Sequence, residues 1–324
     1  MGERLSVWFE GPSKVSVRTE PIPRPKNNEY LVRSHLSTLS SGSERTLLKG
    51  KLDRSQCLDP LIAGKQTLEF PFPYGYQLVG SVVEQGCEVA EDLLGKRVFC
   101  FAPHSNYAVV NESCVYPLPQ SVSDLQGSLL ANMETALALV WDLNPFMCEK
   151  IGVFGQGIVG ILSSLLLSRC GLSELMVFDP NPKKLDLATK IGVAEACGHV
   201  QKADILDGAV EVSSRARGLE HCIKATKPQG RIVIGSWYGD EDKPSLGTVF
   251  HRKRHQLFAS QVSSDNKRLG PHLDKKRRME EALKLLSLIP TDLFETQVFN
   301  MDQAHLAYSQ LLNGDHDLLV FSYL

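Results

Sequence analysis

The segment from Lys150 to Asp179, KIGVFGQGIVGILSSLLLSRCGLSELMVFD, is the feature that most limits what this chain can fold into. A short apolar strand is followed by a glycine-rich turn, an apolar helix and a second strand that ends in an acid. The turn consists of Gly155, Gln156, Gly157, Ile158, Val159 and Gly160. Gly155 permits a tight turn, Gly157 lets a pyrophosphate approach the backbone, and Gly160 lets the helix pack closely on the sheet. The order of these parts predicts a dinucleotide site, with the phosphates at the positive end of the helix.

The acid at the end of the second strand indicates which dinucleotide binds. Asp179 lies 19 residues after Gly160, close to the spacing of about 20 at which an acid accepts hydrogen bonds from the adenosine ribose. A carboxylate there repels the 2′-phosphate of NADP, so the sequence favours NAD. Lys183 and Lys184 follow soon after, and Lys184 is a candidate contact for the adenosine end. NADP therefore stays open as the alternative.

Composition excludes several classes of protein. With 324 residues the chain is long enough for two domains, and a net charge of -2 with 43% hydrophobic residues fits neither a disordered chain nor a basic nucleic-acid binder. The eight cysteines contain no CxxC pair, so we expect reduced core thiols. The alternating, charged amino terminus and the lack of an apolar run of about 18 residues predict a soluble, cytoplasmic protein.

The order of predicted elements indicates an α/β fold with an all-β half. Short strands separated by proline and glycine are expected up to Val122, and apolar residues at helical spacing occupy 125–143. Helices and strands then alternate, as in a parallel sheet with crossover helices, with a weak strand near Val200 and a last sheet strand over 256–262. The tail over 275–324 is predicted to return to the β half. We therefore predict a Rossmann domain over 123–274 and a substrate domain built from 1–122 and 275–324.

These segments together resemble the medium-chain dehydrogenase/reductase family, the alcohol dehydrogenase superfamily. The resemblance lies in VWFEGPSKVSVRTEPIP, in GSVVEQG followed by GKRVFCF, in METALAL, in GQGIVG with Asp179, and in KPQGRIVIGSWYG. The phrases LSSGSE, APHSNY, METAL, GSWYG and ASQV are similar to the branch that includes the bacteriochlorophyllide dehydrogenases. The resemblance implies a GroES-like β-barrel, completed by the tail, beside the Rossmann domain. It also implies a homodimer joined through the strand near 256–262. The net charge and the lack of a long apolar run predict no nucleic-acid or membrane partner.

The resemblance further predicts an enzyme without zinc. Where zinc-dependent members carry a cysteine ligand and a GHE segment, this chain has Ser41 and then Gly75-Tyr76-Gln77. A serine hydroxyl, a phenol and an amide are poor zinc ligands at neutral pH. Of the usual ligand set only Glu134 is left, and one carboxylate does not hold zinc.

Two candidates for proton transfer stand near the vacated positions. Ser43 aligns with the hydroxyl residue that begins the proton relay of zinc alcohol dehydrogenases; otherwise it is an ordinary turn serine. Tyr76 could donate a hydrogen bond to a carbonyl or serve as a general acid if its pKa were lowered. The alternative is a buried aromatic ring that fills the space of the missing metal.

Further candidates lie elsewhere in the chain. Glu134 is a candidate general base or substrate anchor, or else a surface carboxylate, and His104 is a candidate proton relay, or else a structural histidine. Gly235 ends the strand predicted over 231–235, and Trp237 follows it. In this fold that strand end faces the nicotinamide. Trp237 and Tyr238 would line the substrate or only cap the sheet. Glu44 is expected to orient its neighbours or to pair with an arginine. The basic runs over 251–255 and 275–278 are expected to be solvated faces.

Three functions fit these features. The first is a zinc-independent NAD(P)-dependent dehydrogenase that interconverts a secondary alcohol and a ketone on a polar or bulky small metabolite. The second is a zinc-free NADPH-dependent enoyl or quinone reductase. The third is a non-catalytic NAD-binding protein that has lost its metal ligands. The polar residues at the vacated positions, together with Asp179, favour the first.

Overall fold

The computed structural model describes residues 2–50, 69–193, 195–238, 243–314 and 316–324. The chain forms two units, one made of Met1–Ala131 with Glu295–Leu324 and the other of Asn132–Phe294. Cys57, one of the eight cysteines predicted to be reduced core thiols, lies outside the described residues.

The first unit is built mainly from β-strands. The strands are β1 (Glu3–Gly11), β2 (Lys14–Pro21), β3 (Glu29–Thr38), β4 (Phe72–Pro73), β5 (Leu78–Gln85), β6 (Arg97–Cys100), β7 (Tyr107–Asn111), β8 (Val115–Pro117), β15 (Thr296–Phe299) and β16 (Leu318–Ser322). Among the described residues they form two sheets: a three-stranded sheet in the order β2-β1-β4, and a seven-stranded sheet in which β15-β16-β3-β5-β6-β8 form a path and β7 pairs with β3. The helices of this unit are α1 (Ser43–Leu48), α2 (Asp124–Ser128) and α9 (Ala304–Asn313).

The predicted return of the tail to the β half is confirmed. Strand β16 pairs antiparallel with β3, with Val320 opposite Thr38, and it pairs parallel with β15. The carboxyl-terminal residues thereby complete the seven-stranded sheet through β3. The result is the antiparallel β domain that the resemblance implied.

The second unit is a six-stranded parallel sheet in the order β11-β10-β9-β12-β13-β14. Its strands are β9 (Lys150–Phe154), β10 (Glu174–Phe178), β11 (Glu195–Cys197), β12 (Leu206–Glu211), β13 (Thr226–Ile234) and β14 (Gln256–Ala259). The helices are α3 (Leu130–Leu143), α4 (Ile158–Leu167), α5 (Pro182–Lys190), α6 (Ala216–Ala225), α7 (Thr248–Lys253) and α8 (Lys275–Leu285). Alternation of strands with helices gives the crossover arrangement predicted for a Rossmann sheet.

Short 3₁₀ turns add to these elements in both units. They occupy Glu112–Cys114, Lys267–Leu269, Leu286–Leu288, Thr291–Leu293 and Met301–Gln303.

The unit boundaries differ from those predicted after Val122 and after residue 274. The units divide after Ala131 and after Phe294. Helix α2 packs on β3 and β5 of the first unit. The side chains of Lys275 and Arg278, on α8, both contact Glu134 of the second unit. These contacts move α2 into the first unit and α8 into the second.

The weak strand predicted near Val200 is shifted: Val200 lies outside any strand, and β11 ends at Cys197. Strand β12, which lies between β9 and β13 in the sheet, was not predicted. Asp207 and Gly208 break its apolar pattern because each has a local role. The Asp207 carboxylate accepts a hydrogen bond from Lys150 N, and a Cβ at Gly208 would lie 3.1 Å from Ile151 Cδ1.

The seven described cysteines are free thiols, but they are not all in the core. Cys100, Cys114 and Cys222 are buried, whereas Cys87 and Cys148 are exposed. Burial raises the pKa of the Cys100 and Cys222 thiols, which keeps both protonated. Within the described ranges, every helix is too short or too polar to cross a membrane.

Candidate active site

The glycine turn after β9 has the geometry that its sequence predicts. Gly155 has φ +94°, and a Cβ there would lie 2.6 Å from Ser213 Cα. A Cβ at Gly160 would lie 1.9 Å from the carbonyl oxygen of Gly155, so α4 packs against the turn at a distance that only glycine allows. A Cβ at Gly157 would meet no heavy atom within 4 Å, and this residue caps α4 without a side-chain hydrogen bond. The turn therefore has room beside backbone N–H groups at the start of a helix, as a pyrophosphate requires.

Asp179 is joined directly to this turn. Its Oδ2 accepts a hydrogen bond of 2.7 Å from Gln156 N, and its Oδ1 accepts one of 2.9 Å from Asn181 N. Asp179 is half-buried at the end of β10, next to β9. Two backbone donors thus fix a carboxylate at the carboxyl edge of the sheet, where open α/β sheets bind ligands.

The other predicted cofactor residues occupy different environments. The Gln156 side chain is buried and bonds inward, with Nε2 donating to Gly155 O, so this residue faces the turn through its backbone. Ile158 and Val159 are half-buried in the first turn of α4, and Lys184 is half-buried on α5. Trp237 is 42% exposed.

A buried carboxylate that sequence reasoning missed ties together the ends of β12 and β13. Glu211 Oε1 accepts hydrogen bonds from the backbone N–H and the hydroxyl of Ser213, and Oε2 accepts one from the hydroxyl of Tyr238. Gly235 N donates to Glu211 O at 2.9 Å. Burial and Glu211 raise the pKa of Tyr238, so its phenol stays a donor. The segment that carries Gly235 and Trp237 is thereby held against the neighbouring strand end. The signal in the sequence was an acid that closes the apolar run Gly208–Val210.

In the first unit, two of the predicted catalytic residues lie together. The Tyr76 hydroxyl donates to Ser40 Oγ at 2.7 Å and lies 3.4 Å from Ser43 Oγ, while Ser43 N donates to Ser40 Oγ at 3.3 Å. We call Ser40, Ser43 and Tyr76 the hydroxyl cluster. Burial raises the pKa of Tyr76, outweighing its hydrogen bonds with Ser40 and Ser43, which lower it. The phenol therefore stays neutral at physiological pH and can donate a hydrogen bond.

Glu44 holds the hydroxyl cluster in place through the backbone of Ser40. This fully buried carboxylate accepts hydrogen bonds from Ser40 N at 2.7 Å and from the Tyr308 hydroxyl at 2.6 Å. His104 Nε2 lies 3.2 Å from both of its oxygens. Because a buried carboxylate is stable only when paired and hydrogen-bonded, Glu44 fixes these groups relative to one another. The partners of Glu44 are a histidine, a tyrosine and a backbone amide. Contacts of this kind are expected of a residue that orients its neighbours.

His104 is fully buried within the same network. Its Nδ1 lies 2.6 Å from Ser37 Oγ, which in turn lies 2.7 Å from the Tyr323 hydroxyl, and its ring packs against Phe321. A proton on Nε2, directed at Glu44, leaves Nδ1 to accept from Ser37, so this tautomer satisfies both contacts. Both ring nitrogens thus have protein partners, as expected of a histidine that fixes a core.

Glu134 belongs to the second unit and is paired there. Its Oε1 accepts from Arg278 Nε at 3.1 Å and from Lys275 Nζ at 3.3 Å. Arg278 is itself buried and also donates to Val262 O. The expectation that the 275–278 run is a solvated face is therefore wrong for these two residues. Their spacing of three along α8 was the available signal, since it places both on one face of a helix.

Ser41, Tyr76 and Gln77, at the positions where the resemblance expects zinc ligands, carry a hydroxyl, a phenol and an amide. Tyr76 is bonded to hydroxyls, and the carboxamide atoms of the buried Gln77 make no hydrogen bond. Within the residues that the structure describes, no three His, Cys, Asp or Glu side chains are grouped so as to hold a metal ion.

Known proteins resemble this chain over most of its length. No protein-family model matches it. The L-threonine 3-dehydrogenase of Rhizobium etli (strain CIAT 652) is 25% identical over 213 residues, covering 52% of this chain and 61% of that protein. The sorbitol dehydrogenase of Gallus gallus is 20% identical over 279 residues, covering 72% and 75%. The chain thus spans less than two thirds of the length of the first of these relatives.

A solved structure has the same fold. The NADH complex of a protein described as a short chain alcohol dehydrogenase from E. coli CFT073 superposes with a TM-score of 0.80 at 17% identity, covering 99% of this chain and 100% of that one. Sequence similarity to polyol and amino-alcohol dehydrogenases, the shared fold and the glycine turn agree. The chain is therefore similar in sequence to dehydrogenases of threonine and sorbitol, and it shares the fold of a solved alcohol dehydrogenase.

Proposed function

We propose that this chain is an NAD-dependent, zinc-independent dehydrogenase that interconverts a secondary alcohol and a ketone on a polar small metabolite. The observation that carries the proposal is the hydroxyl cluster. Tyr76 stands where zinc-dependent relatives have a histidine ligand, and its phenol is held 2.7 Å from Ser40 Oγ and 3.4 Å from Ser43 Oγ. The chain has hydrogen-bonding groups where apolar residues would be expected if the site had decayed.

The cofactor is assigned to the glycine turn. The backbone of Gly155–Gly160 would hold the pyrophosphate, and Asp179 would accept from the adenosine ribose. Lys184, Gly235 and Trp237 are the further proposed contacts. When bound, a nicotinamide cofactor supplies or accepts the hydride. The charge on Asp179 supports NAD over NADP.

The hydroxyl cluster would handle the substrate oxygen. Tyr76, kept neutral by burial, would turn its single O–H from Ser40 Oγ to the substrate oxygen and so stabilise the negative charge that develops there. Ser43 is only half-buried, so it would pass the proton between the substrate and solvent. For His104 and Glu134 a direct catalytic role stays a prediction, and their protein partners favour roles as positioning residues.

The zinc-free chemistry follows from the same residues. Ser41, Tyr76 and Gln77 supply no thiolate, imidazole or carboxylate, and Glu134 is already paired with two cations. Tyr76 would therefore do by hydrogen bonding what a metal does by polarising the oxygen.

The substrate class is proposed from the relatives. Threonine and sorbitol both carry a secondary alcohol with polar neighbours, and the names of the two relatives give these as substrates. The local resemblance to the bacteriochlorophyllide dehydrogenase branch supports a bulky substrate as the alternative.

The test is turnover by the purified full chain. NAD and NADP would be offered with L-threonine, D-sorbitol and a panel of secondary alcohols, and NADH and NADPH with ketones and enones. We expect alcohol–ketone turnover with NAD, and a loss of about 10² in kcat/KM for Tyr76→Phe. Tyr107→Phe, at a half-buried tyrosine of the same unit, should leave kcat/KM unchanged. Reduction of enones only, with NADPH, would instead identify a reductase. Cofactor binding without any turnover would identify a non-catalytic NAD-binding protein.

We also propose that two copies join through β14. This strand is the last of the described sheet and pairs on one side with β13. An edge strand with unpaired backbone groups can continue its sheet into a second copy. Light scattering after size exclusion should give twice the chain mass of 35.9 kDa. A monomer at micromolar concentration would contradict this.

A further inference from the structure

Gln77 has a buried carboxamide without a partner. The residue is 1% exposed, and neither Nε2 nor Oε1 makes a hydrogen bond. Among the described residues it is the only side chain with two buried, unpaired polar atoms. A primary amide offers two donors and two acceptors, so a complete recognition group is unused.

Such a group destabilises the folded chain unless something else binds it. Buried polar groups in proteins nearly always have a partner, in protein, water or ligand, because their desolvation is not otherwise offset. A methionine or leucine would fill a similar volume without that penalty. The carboxamide of Gln77 therefore calls for a partner that is not part of the described chain.

The position of Gln77 indicates what that partner is. Gln77 directly follows Tyr76, and its carbonyl oxygen accepts from Thr38 N at 3.0 Å. The segment that begins at Thr38 leads to Ser40 and Ser43, which contact the Tyr76 hydroxyl. The two segments that carry the hydroxyl cluster thus also hold the unpaired amide.

We propose that Gln77 binds a second polar group of the substrate, next to the alcohol or ketone that reacts. An amide can donate to and accept from one hydroxyl, so it fits a vicinal diol or a hydroxy compound with a neighbouring polar group. It disfavours a simple secondary alcohol, because the amide then stays unpaired. This inference rests on the proposed dehydrogenase function and narrows its substrate class.

The first measurement needs no substrate. If the amide is unpaired in the free protein, Gln77→Met and Gln77→Leu should leave the melting temperature unchanged or raise it. A buried water that bridges Nε2 and Oε1 predicts the opposite, a fall of several degrees in both variants, and would overturn the inference. Using both variants separates this effect from a packing defect of one side chain.

The second measurement uses paired probes, butane-2,3-diol and butan-2-ol, with NAD. The wild-type chain should prefer the diol, and Gln77→Met should lower kcat/KM for the diol at least about tenfold, mainly through KM, so that the ratio of kcat/KM for the diol to that for butan-2-ol falls by a similar factor. Equal loss on both probes would overturn the inference but leave the dehydrogenase standing. If neither probe turns over, thermal shift with NADH and the diol decides: stabilisation of the wild type but not of Gln77→Met supports the site, and no stabilisation of the wild type overturns it.

Discussion

The Tyr308 hydroxyl donates a hydrogen bond of 2.6 Å to the Glu44 carboxylate across 264 residues of sequence. Both side chains are buried, and burial together with Glu44 raises the pKa of Tyr308 well above its usual value, so the phenol stays a donor. Glu44 in turn holds the backbone of Ser40. A helix from the carboxyl-terminal segment thereby supports the turn that carries the hydroxyl cluster.

Tyr308→Phe should therefore destabilise the chain. A hydrogen bond to a charged group contributes about 1.5–3 kcal/mol, and its loss leaves a buried carboxylate with one donor fewer. Tyr323→Phe is the matched control, because the Tyr323 hydroxyl contacts the neutral Ser37 and its loss should cost only about 0.5–1.5 kcal/mol. Urea unfolding of the three proteins measures both values. Equal losses in the two variants would show that Glu44 is not the charged centre of this network.

Asp179→Asn should change cofactor preference. If Asp179 binds the ribose as proposed, removing its charge deletes a charge-assisted hydrogen bond to NAD and the repulsion of the NADP phosphate, so the Kd for NADH should rise about tenfold. The ratio of the NADPH and NADH dissociation constants, from fluorescence titration, should shift toward NADPH by at least that factor.

Asp186→Asn is the control for this change. Asp186 is exposed on α5 and pairs with Lys190, so the variant removes one negative charge without touching the turn. If both variants shift the ratio equally, the effect is one of net charge, and Asp179 does not bind the ribose.

The fold was predictable where local pattern and tertiary packing agree. The strands β3 and β9 and the glycine turn were predicted correctly because their apolar runs and glycines follow local patterns that the tertiary packing preserves. Strand β12 was missed because Asp207 and Gly208 interrupt its apolar run to bind Lys150 N and to allow close packing. The long apolar stretch over 125–143 was read as one helix, but it breaks at Leu129, whose ψ of 10° departs from the helix.

Several residues of the candidate site were named from the sequence one by one, but the hydrogen-bond network that joins them was not predicted. Ser43, Tyr76 and His104 were named from the sequence, whereas Ser40 and Ser37 were not, since a buried serine looks like a turn serine until its partners are known. The role of Glu134 depended on α8, which lies more than 130 residues later and looked like a solvated basic helix. Contacts at such separation leave no local signal in a single sequence.

Metal removal should leave the activity intact. Prolonged dialysis of the enzyme against EDTA and 1,10-phenanthroline should not change kcat, because Ser41, Tyr76 and Gln77 offer no strong zinc ligand. Metal analysis of the purified protein should give well below one zinc per chain. Loss of activity that added Zn²⁺ restores would contradict the zinc-free proposal. The L-threonine 3-dehydrogenase of Rhizobium etli or the sorbitol dehydrogenase of Gallus gallus can be dialysed in parallel as a reference.

Glu134→Gln should change how stability depends on pH. Burial raises the Glu134 pKa above its usual 4.5, although Lys275 and Arg278 act to lower it. The folded chain therefore holds this proton more tightly than the unfolded chain, and the contribution to the free energy of unfolding falls as pH rises from about 4.5 through the raised pKa. Glutamine does not titrate, so the melting temperature of the wild type relative to Glu134→Gln should fall as the pH rises above about 4.5, while groups common to both proteins cancel. Glu281→Gln, whose partners Arg277 and Lys284 are exposed, is the control. A wild-type-minus-Glu134→Gln difference that is constant over this range would show that the two cations, and not burial, determine the protonation of Glu134.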